Sequence, residues 1–199
     1  MKAVIREQIL AQLLNIPALM DLHLQQSVDF IPKTLRWFID TEKLLSPHRL
    51  PVVSRISGFR GQLQATEEGY VHPQVQQDKF SLRKKRNATA VALLQASEEE
   101  LRKEIESIDE LFTELRDKLA QLIAIVSAKS PLPHSLHITE SYLGQIWTLL
   151  SENAETLSMS KYIEVKTNRT DRNYLLQDLM ANVVAANSRA CSPPPESTT

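Results

Sequence analysis

The sequence predicts an all-α protein: an elongated, mainly antiparallel helical bundle of five to seven helices with one long coiled-coil-like helix. Three observations carry that prediction. Only 4 of the 199 residues are glycine, whereas sheets and phosphate-binding loops draw on glycine for backbone with positive φ. Neither a GxGxxG nor a GxxxxGK(S/T) phosphate loop is present. Between Val91 and Val126, apolar residues recur with the three-and-four spacing of a heptad.

Composition narrows the class further. Hydrophobic residues make up 42% of the chain and charged residues 24%, enough apolar surface for a folded core. The single Cys191 excludes a disulfide scaffold and a cysteine-based zinc cluster. No apolar run approaches the roughly 20 residues of a membrane span. The longest, Leu119 to Ala128, is interrupted by Gln121 and Ser127. Arg6, Glu7 and Gln8 break the first apolar stretch where a secretory leader needs its core. The expectation is a cytoplasmic chain without membrane association. It comprises one helical domain over 1–187 and a flexible Ser/Pro/Thr-rich tail over 188–199.

The first helix is expected over Lys2–Asn15, with Val4, Ile5, Ile9, Leu10, Leu13 and Leu14 on a broad apolar stripe. Asn15 and Pro17 mark a cap and a first turn, opening a second helix to about Gln26. Pro32 makes Val28 to Ile31 a kink or a fresh start. Leu35, Phe38 and Leu45 then share a face widened by Trp37 and Ile39, and Pro47 and Pro51 bracket a loop. Over 52–68, Ser54, Gly58, Gly61 and Ala65 fall at helical spacing, where they would form a groove for another backbone.

The heptad follows. Leu94, Leu101, Ile108, Leu115 and Leu122 form one series, and Ile105, Phe112, Leu119 and Val126 the other, with Glu98 the only flaw. Ser97 and Glu100 match a capping box, so the helix either starts at 97 or runs through from about 78, ending near 129 before Pro131 and Pro133. At about 1.5 Å per residue, 98–128 alone spans roughly 45 Å. Later helices are expected from Thr139 to about Leu157 and from Thr170 to about Ala186, the last opened by a cap-like Thr170-Asp171. Between them, Ser160 to Thr167 alternates like a strand and has no partner strand to pair with. It reads as an extended connector.

Function is read from what the chemistry allows. His134, His137 and Glu140 are spaced to meet on one helical face, but Pro133 places His134 at a helix start. Bundle metal sites draw carboxylates from several helices, and the paired Glu-x-x-His motifs of such sites are missing. No catalytic constellation is spaced along the chain, so no enzyme, cofactor or metal is expected. A helical-bundle metal protein or enzyme is the third alternative.

Two features remain. The heptad stripe of Leu94, Leu101, Ile105, Ile108, Phe112 and Leu115 serves either as an internal seam or as a protein interface. Its Leu101–Leu115 end is expected to be the freer one. Lys79, Arg83, Lys84, Lys85 and Arg86 form the densest basic run, suited to phosphate contacts if Arg55 or Arg60 joins them on one face. Residues 1–90 hold 13 Lys and Arg against 8 Asp and Glu, and residues 91–199 hold 10 against 16, so charge is segregated along the chain. The leading expectation is a non-catalytic helical interaction protein, an accessory or scaffolding subunit of a larger intracellular complex. It would bind a protein partner or itself through the coiled-coil-like helix. The runner-up is a nucleic-acid-associated accessory subunit using 79–86.

Overall fold

In the computed structural model the described residues are 1–68, 81–133 and 137–190, excepting the side chains of residue 67 and of 182–190. They form eight α-helices and two 3-10 turns, with no strand among them. The helices are α1 (Lys2–Leu13), α2 (Ile16–Leu24), α3 (Phe30–Leu45), α4 (Pro51–Ala65), α5 (Leu82–Ser127), α6 (Glu140–Glu152), α7 (Leu157–Lys166) and α8 (Arg169–Ala190). The all-α class and the single long helix are as the sequence predicts. The described residues group into two compact units: one over Lys2–Ile108, and one from Asp109 onward together with Met1. Helix α5 supplies residues to both.

In the first unit, α3 packs chiefly on α4, and also on α1 and α2. Helix α3 buries Ile31, Thr34, Trp37, Phe38, Thr41 and Leu45. This stripe contains two threonines, each with its hydroxyl satisfied as a buried polar group requires. Thr34 donates to the Phe30 carbonyl at 2.8 Å and Thr41 to Gln12 Oε1 at 3.2 Å. The Trp37 indole N–H donates to the Gln12 carbonyl at 3.1 Å, tying α3 to α1. On α1 the buried face is narrower than expected: Ile5 and Ile9 are buried, whereas Leu14 is 78% exposed. Asn15 precedes α2 without capping it through its side chain, which donates instead to the Ala11 carbonyl at 3.1 Å. Pro17, Pro32 and Pro51 all fall in first turns of helices, where a missing N–H costs nothing.

The small residues of α4 do not cradle a backbone. A side-chain carbon added at Gly58 or Gly61 would meet no atom within 4 Å, and both glycines are exposed. Instead α4 packs through Val52, Ile56 and Leu63. Arg60 bridges back to Glu42 on α3 at 2.6 Å, and Arg55 pairs with Glu100 on α5.

Helix α5 runs without interruption through Ser97, so the capping box is not used. The Ser97 hydroxyl donates to the Leu93 carbonyl at 2.6 Å, inside the helix. The flaw at Glu98 also resolves here. Thr89, Ala90, Leu93, Leu94, Ser97 and Leu101 are buried, so the inward face passes through Ser97 and not through Glu98. Glu98 turns outward to meet Arg102 at 2.6 Å.

The second unit is built on Leu115, Leu119, Leu122 and Val126 of α5, Ile146 and Leu150 of α6, Ile163 of α7, and Leu175 and Leu176 of α8. Thr139 caps α6 by accepting from the Tyr142 N–H at 3.2 Å. Asn168, not Thr170-Asp171, caps α8, its Oδ1 accepting the Asp171 N–H at 2.9 Å. Residues 188–190, expected in the tail, belong to α8, and 191–199 lie outside the described residues.

One segment reverses its expectation. Residues 160–167 are neither strand nor extended connector: α7 is helical over Leu157–Lys166. Its inward face is Thr156, Ser160 and Ile163, followed by the half-buried Thr167, which is a helical spacing. Three of those four residues are hydroxyl-bearing, so hydropathy alone sees only the alternation of Tyr162, Glu164 and Lys166 with Ile163 and Val165. Val165 is in fact 85% exposed.

Candidate interaction groove at the start of the long helix

The heptad residues form no exposed strip. Leu94, Leu101 and Leu115 are fully buried, Ile108 and Phe112 are buried, and Ile105 is half-buried. The stripe, including the Leu101–Leu115 end expected to be freer, goes into the chain's own core because helices of this chain cover it. Phe112 lies against Tyr174 of α8 at 6.1 Å between ring centroids, and Arg116 beside it pairs with Asp178 at 2.9 Å.

The basic run lies elsewhere. Lys79 falls outside the described residues. Arg83, Lys84, Lys85 and Arg86 occupy the first turns of α5, which contain no acidic residue. The next acid along the helix is Glu98, too far for an i,i+4 partner. Ser81 opens the helix: its carbonyl accepts the Lys85 N–H at 3.0 Å and its hydroxyl accepts the Lys84 N–H at 3.4 Å. Cations at a helix N-terminus oppose the macrodipole, at about 0.3–1 kcal/mol apiece in low salt. Local helix stability therefore does not account for four of them here. Arg55 and Arg60 do not extend the run into a face, each being held by its own carboxylate, Glu100 and Glu42.

The first turns of α5 form one wall of a groove with a volume of about 700 Å³. The opposite wall comes from the turn after α2 and the first turns of α3. Helix α2 ends in a Schellman motif: the Gln26 N–H donates to the His23 carbonyl and the Ser27 N–H to the Leu22 carbonyl, both at 3.0 Å. Gln26 takes the left-handed position at φ 53°, normally a glycine's place. Ser27 precedes α3, its hydroxyl accepting the Asp29 N–H at 3.2 Å, and Asp29 pairs with Lys33 at 3.5 Å. This leaves Val28, Ile31, Pro32 and Leu35 along the groove, facing Leu82, Arg83 and Arg86. Val28 is 77% exposed and Leu82 59%. The Arg83 Nη2 donates to the Gln26 carbonyl at 3.0 Å, joining the two walls. No carboxylate and no aromatic ring is among the described residues lining the groove.

Sequence reasoning found the α5 wall through its charge and missed the α3 wall. Val28 offered a signal. It is a large apolar residue stranded between a helix end and a proline, and it has no periodic partner.

Among the described residues, no three His, Cys, Asp or Glu side chains gather closely enough to hold a metal ion. His137 is exposed just ahead of α6, and His134 and Cys191 lie outside the described residues. No helix is long and apolar enough among them to cross a membrane. A polar cluster of Trp147, Glu164 and Arg172 sits in the second unit. There the Arg172 guanidinium lies 4.1 Å from the centroid of the Trp147 ring, and Glu164 lies 3.8 Å from Arg172 while accepting the Trp147 indole N–H at 3.3 Å. Burial against the indole pulls the guanidinium below its ordinary range. That cluster joins α6, α7 and α8, as a structural tie would. Compared with protein-family models, curated proteins and solved structures, the chain finds no match.

Proposed function

We propose that the protein is a non-catalytic helical interaction protein, an accessory or scaffolding subunit. Its partner surface is the groove between α3 and the start of α5, not the heptad stripe. The observation that carries this reading is a pair of exposed apolar side chains, Val28 and Leu82, on the walls of a groove of about 700 Å³. Isolated exposed apolar residues are ordinary. Two of them bordering a concave site are the usual mark of an interaction surface. The buried heptad supports the same shift, since a seam occupied by the chain's own helices offers a partner nothing without unfolding.

The nucleic-acid reading uses the four cations that open α5. It has less to stand on, because binding to nucleic acid favours aromatic platforms or an extended cationic track. No aromatic is among the described residues lining the groove, and Arg55 and Arg60 are engaged elsewhere.

The test is photo-crosslinking in the native cell from a probe residue placed at Leu82, with a probe at the exposed Val165 of the other unit as control. A discrete protein adduct is expected from Leu82, lost on Val28→Glu in a variant that keeps its helical circular dichroism, and absent from Val165. Adducts to nucleic acid alone, or identical adducts from both positions, would contradict the reading.

A further inference from the structure

We propose that α7 is a strap that opens and closes as a unit while the rest of the second unit stays folded, with the Tyr162–Glu114 hydrogen bond as its latch. Helix α6, against which α7 packs, buries Tyr142, Leu143, Ile146, Trp147 and Leu150. Of the described α7 side chains, the buried ones are Ser160 and Ile163, so a single aliphatic group carries most of the packing. The Ser160 hydroxyl donates to the Leu157 carbonyl at 3.0 Å, and Thr167 at the far end donates to the Ile163 carbonyl at 2.8 Å. Both bonds stay within the helix's own turns and add nothing to its hold on the core. Val165 is 85% exposed and Leu157 43%, so much of the apolar surface of α7 is spent on solvent.

The helix is also weak in itself. Its 10 residues are fewer than the roughly 12–15 that hold an isolated helix in water. Ser158, Ser160, Tyr162, Ile163 and Val165 all rank below leucine and alanine as helix formers. The alternation of Tyr162, Glu164 and Lys166 with Ile163, Val165 and Thr167 suits extended chain as well. What keeps α7 closed is therefore a short set of polar ties around Ile163. Successive helical residues point about 100° apart, so Tyr162 and Glu164 leave on opposite flanks of Ile163. Tyr162 donates to Glu114 on α5 at 2.6 Å, with the Lys118 ammonium 4.8 Å from the centre of its ring. Glu164 accepts the Trp147 indole N–H of α6 at 3.3 Å. At the start of the helix, Thr156 donates to the Leu150 carbonyl of α6 at 2.5 Å. Tyr162 is 37% exposed, so water can replace Glu114 as its partner, and the latch releases without stranding a buried polar group. Few buried apolar contacts and solvent-facing ties are the marks of an element that opens locally.

The experiment is native-state amide hydrogen exchange on the full chain in rising, sub-denaturing urea, read by nuclear magnetic resonance. The amides of residues 161–166 are expected to exchange together, about tenfold or more faster than those of residues 146–150 in α6 and 115–122 in α5. Their urea dependence is expected to be the shallower one, because opening a strap exposes less surface than unfolding the unit. Tyr162→Phe keeps the ring and removes the latch. It is expected to speed the α7 amides about threefold to tenfold and to leave those of α6 unchanged. Val165→Ala, at an exposed site where folding is not at stake, favours the helix and is expected to slow the same amides about twofold.

Exchange of the α7 amides at the rate of α6, with the same urea dependence, would overturn the proposal, since α7 would then open only when the whole unit unfolds. Acceleration of α6 and α7 alike in Tyr162→Phe would do the same, as the mark of a general loss of stability. Fast local exchange in α7 that ignores Tyr162→Phe would overturn the latch and leave Ile163, Thr156 and Glu164 as the hold on the strap.

Discussion

The Arg83 guanidinium donates to the carbonyl of Gln26 at 3.0 Å, so the first turn of the longest helix is tied to the single left-handed residue that ends α2. Gln26 holds φ 53° within a Schellman motif, where a side chain costs roughly 1 kcal/mol relative to glycine. Gln26→Gly is therefore expected to raise the stability of the first unit by about 0.5–1 kcal/mol, read as a higher urea midpoint. The carbonyl that accepts from Arg83 is retained in this variant. A lower midpoint would show that the glutamine side chain contributes packing that outweighs the backbone cost.

The heptad residues are core residues, and substitution should say so. Leu101→Ala removes a fully buried side chain and is expected to cost about 2–5 kcal/mol. The particle mass by light scattering coupled to size exclusion should stay the same. Were the stripe a surface seam, the same change would alter self-association and leave the melting temperature nearly fixed, since surface substitutions usually fall within about 0.5 kcal/mol.

Tyr162 provides a pH signature for the second unit. Its hydroxyl donates to Glu114 at 2.6 Å, and that hydrogen bond, together with the nearby carboxylate charge, holds the phenol above its ordinary range. A raised pKa means that the interaction is complete below the ordinary tyrosine value and is lost as pH rises through the folded one. Glu114→Gln should bring the tyrosinate absorbance of Tyr162 back toward ordinary pH, with Tyr162→Phe supplying the assignment. Tyr142, raised by burial alone, should not move. A titration unchanged in Glu114→Gln would rule out the α5–α7 tie.

The Trp147, Glu164 and Arg172 cluster fastens α6, α7 and α8. Arg172→Ala removes both the cation stacked at 4.1 Å and the packing of its stem, for an expected loss of about 1–2 kcal/mol. The Trp147 fluorescence should also change before any unfolding. An unchanged urea midpoint would mean the stack is decorative.

How far the sequence could be read depended on which residues line each helix. Helix α5 was legible because apolar side chains, most of them leucine and isoleucine, fill nearly every inward position. Helix α3 was partly legible: Phe38 and Leu45 were read as inward, whereas Thr34 and Thr41, satisfied by Phe30 and Gln12, carry no hydropathy signal. Helix α7 was misread for the same reason, its inward Thr156, Ser160 and Thr167 leaving Ile163 alone. The basic half of the groove was legible as charge. Its apolar half was not, because α2, the left-handed Gln26 and α3 bring Val28 opposite Leu82 through a turn whose usual glycine is absent.

The central claim is that partners meet this chain at the groove and not along the heptad. The most direct measurement is amide shift mapping by nuclear magnetic resonance while the protein partner recovered by crosslinking at Leu82 is titrated into the full chain. The account predicts perturbations concentrated at residues 27–35 and 82–87. Perturbations running instead along 94–115, or spread without focus over both units, would contradict it.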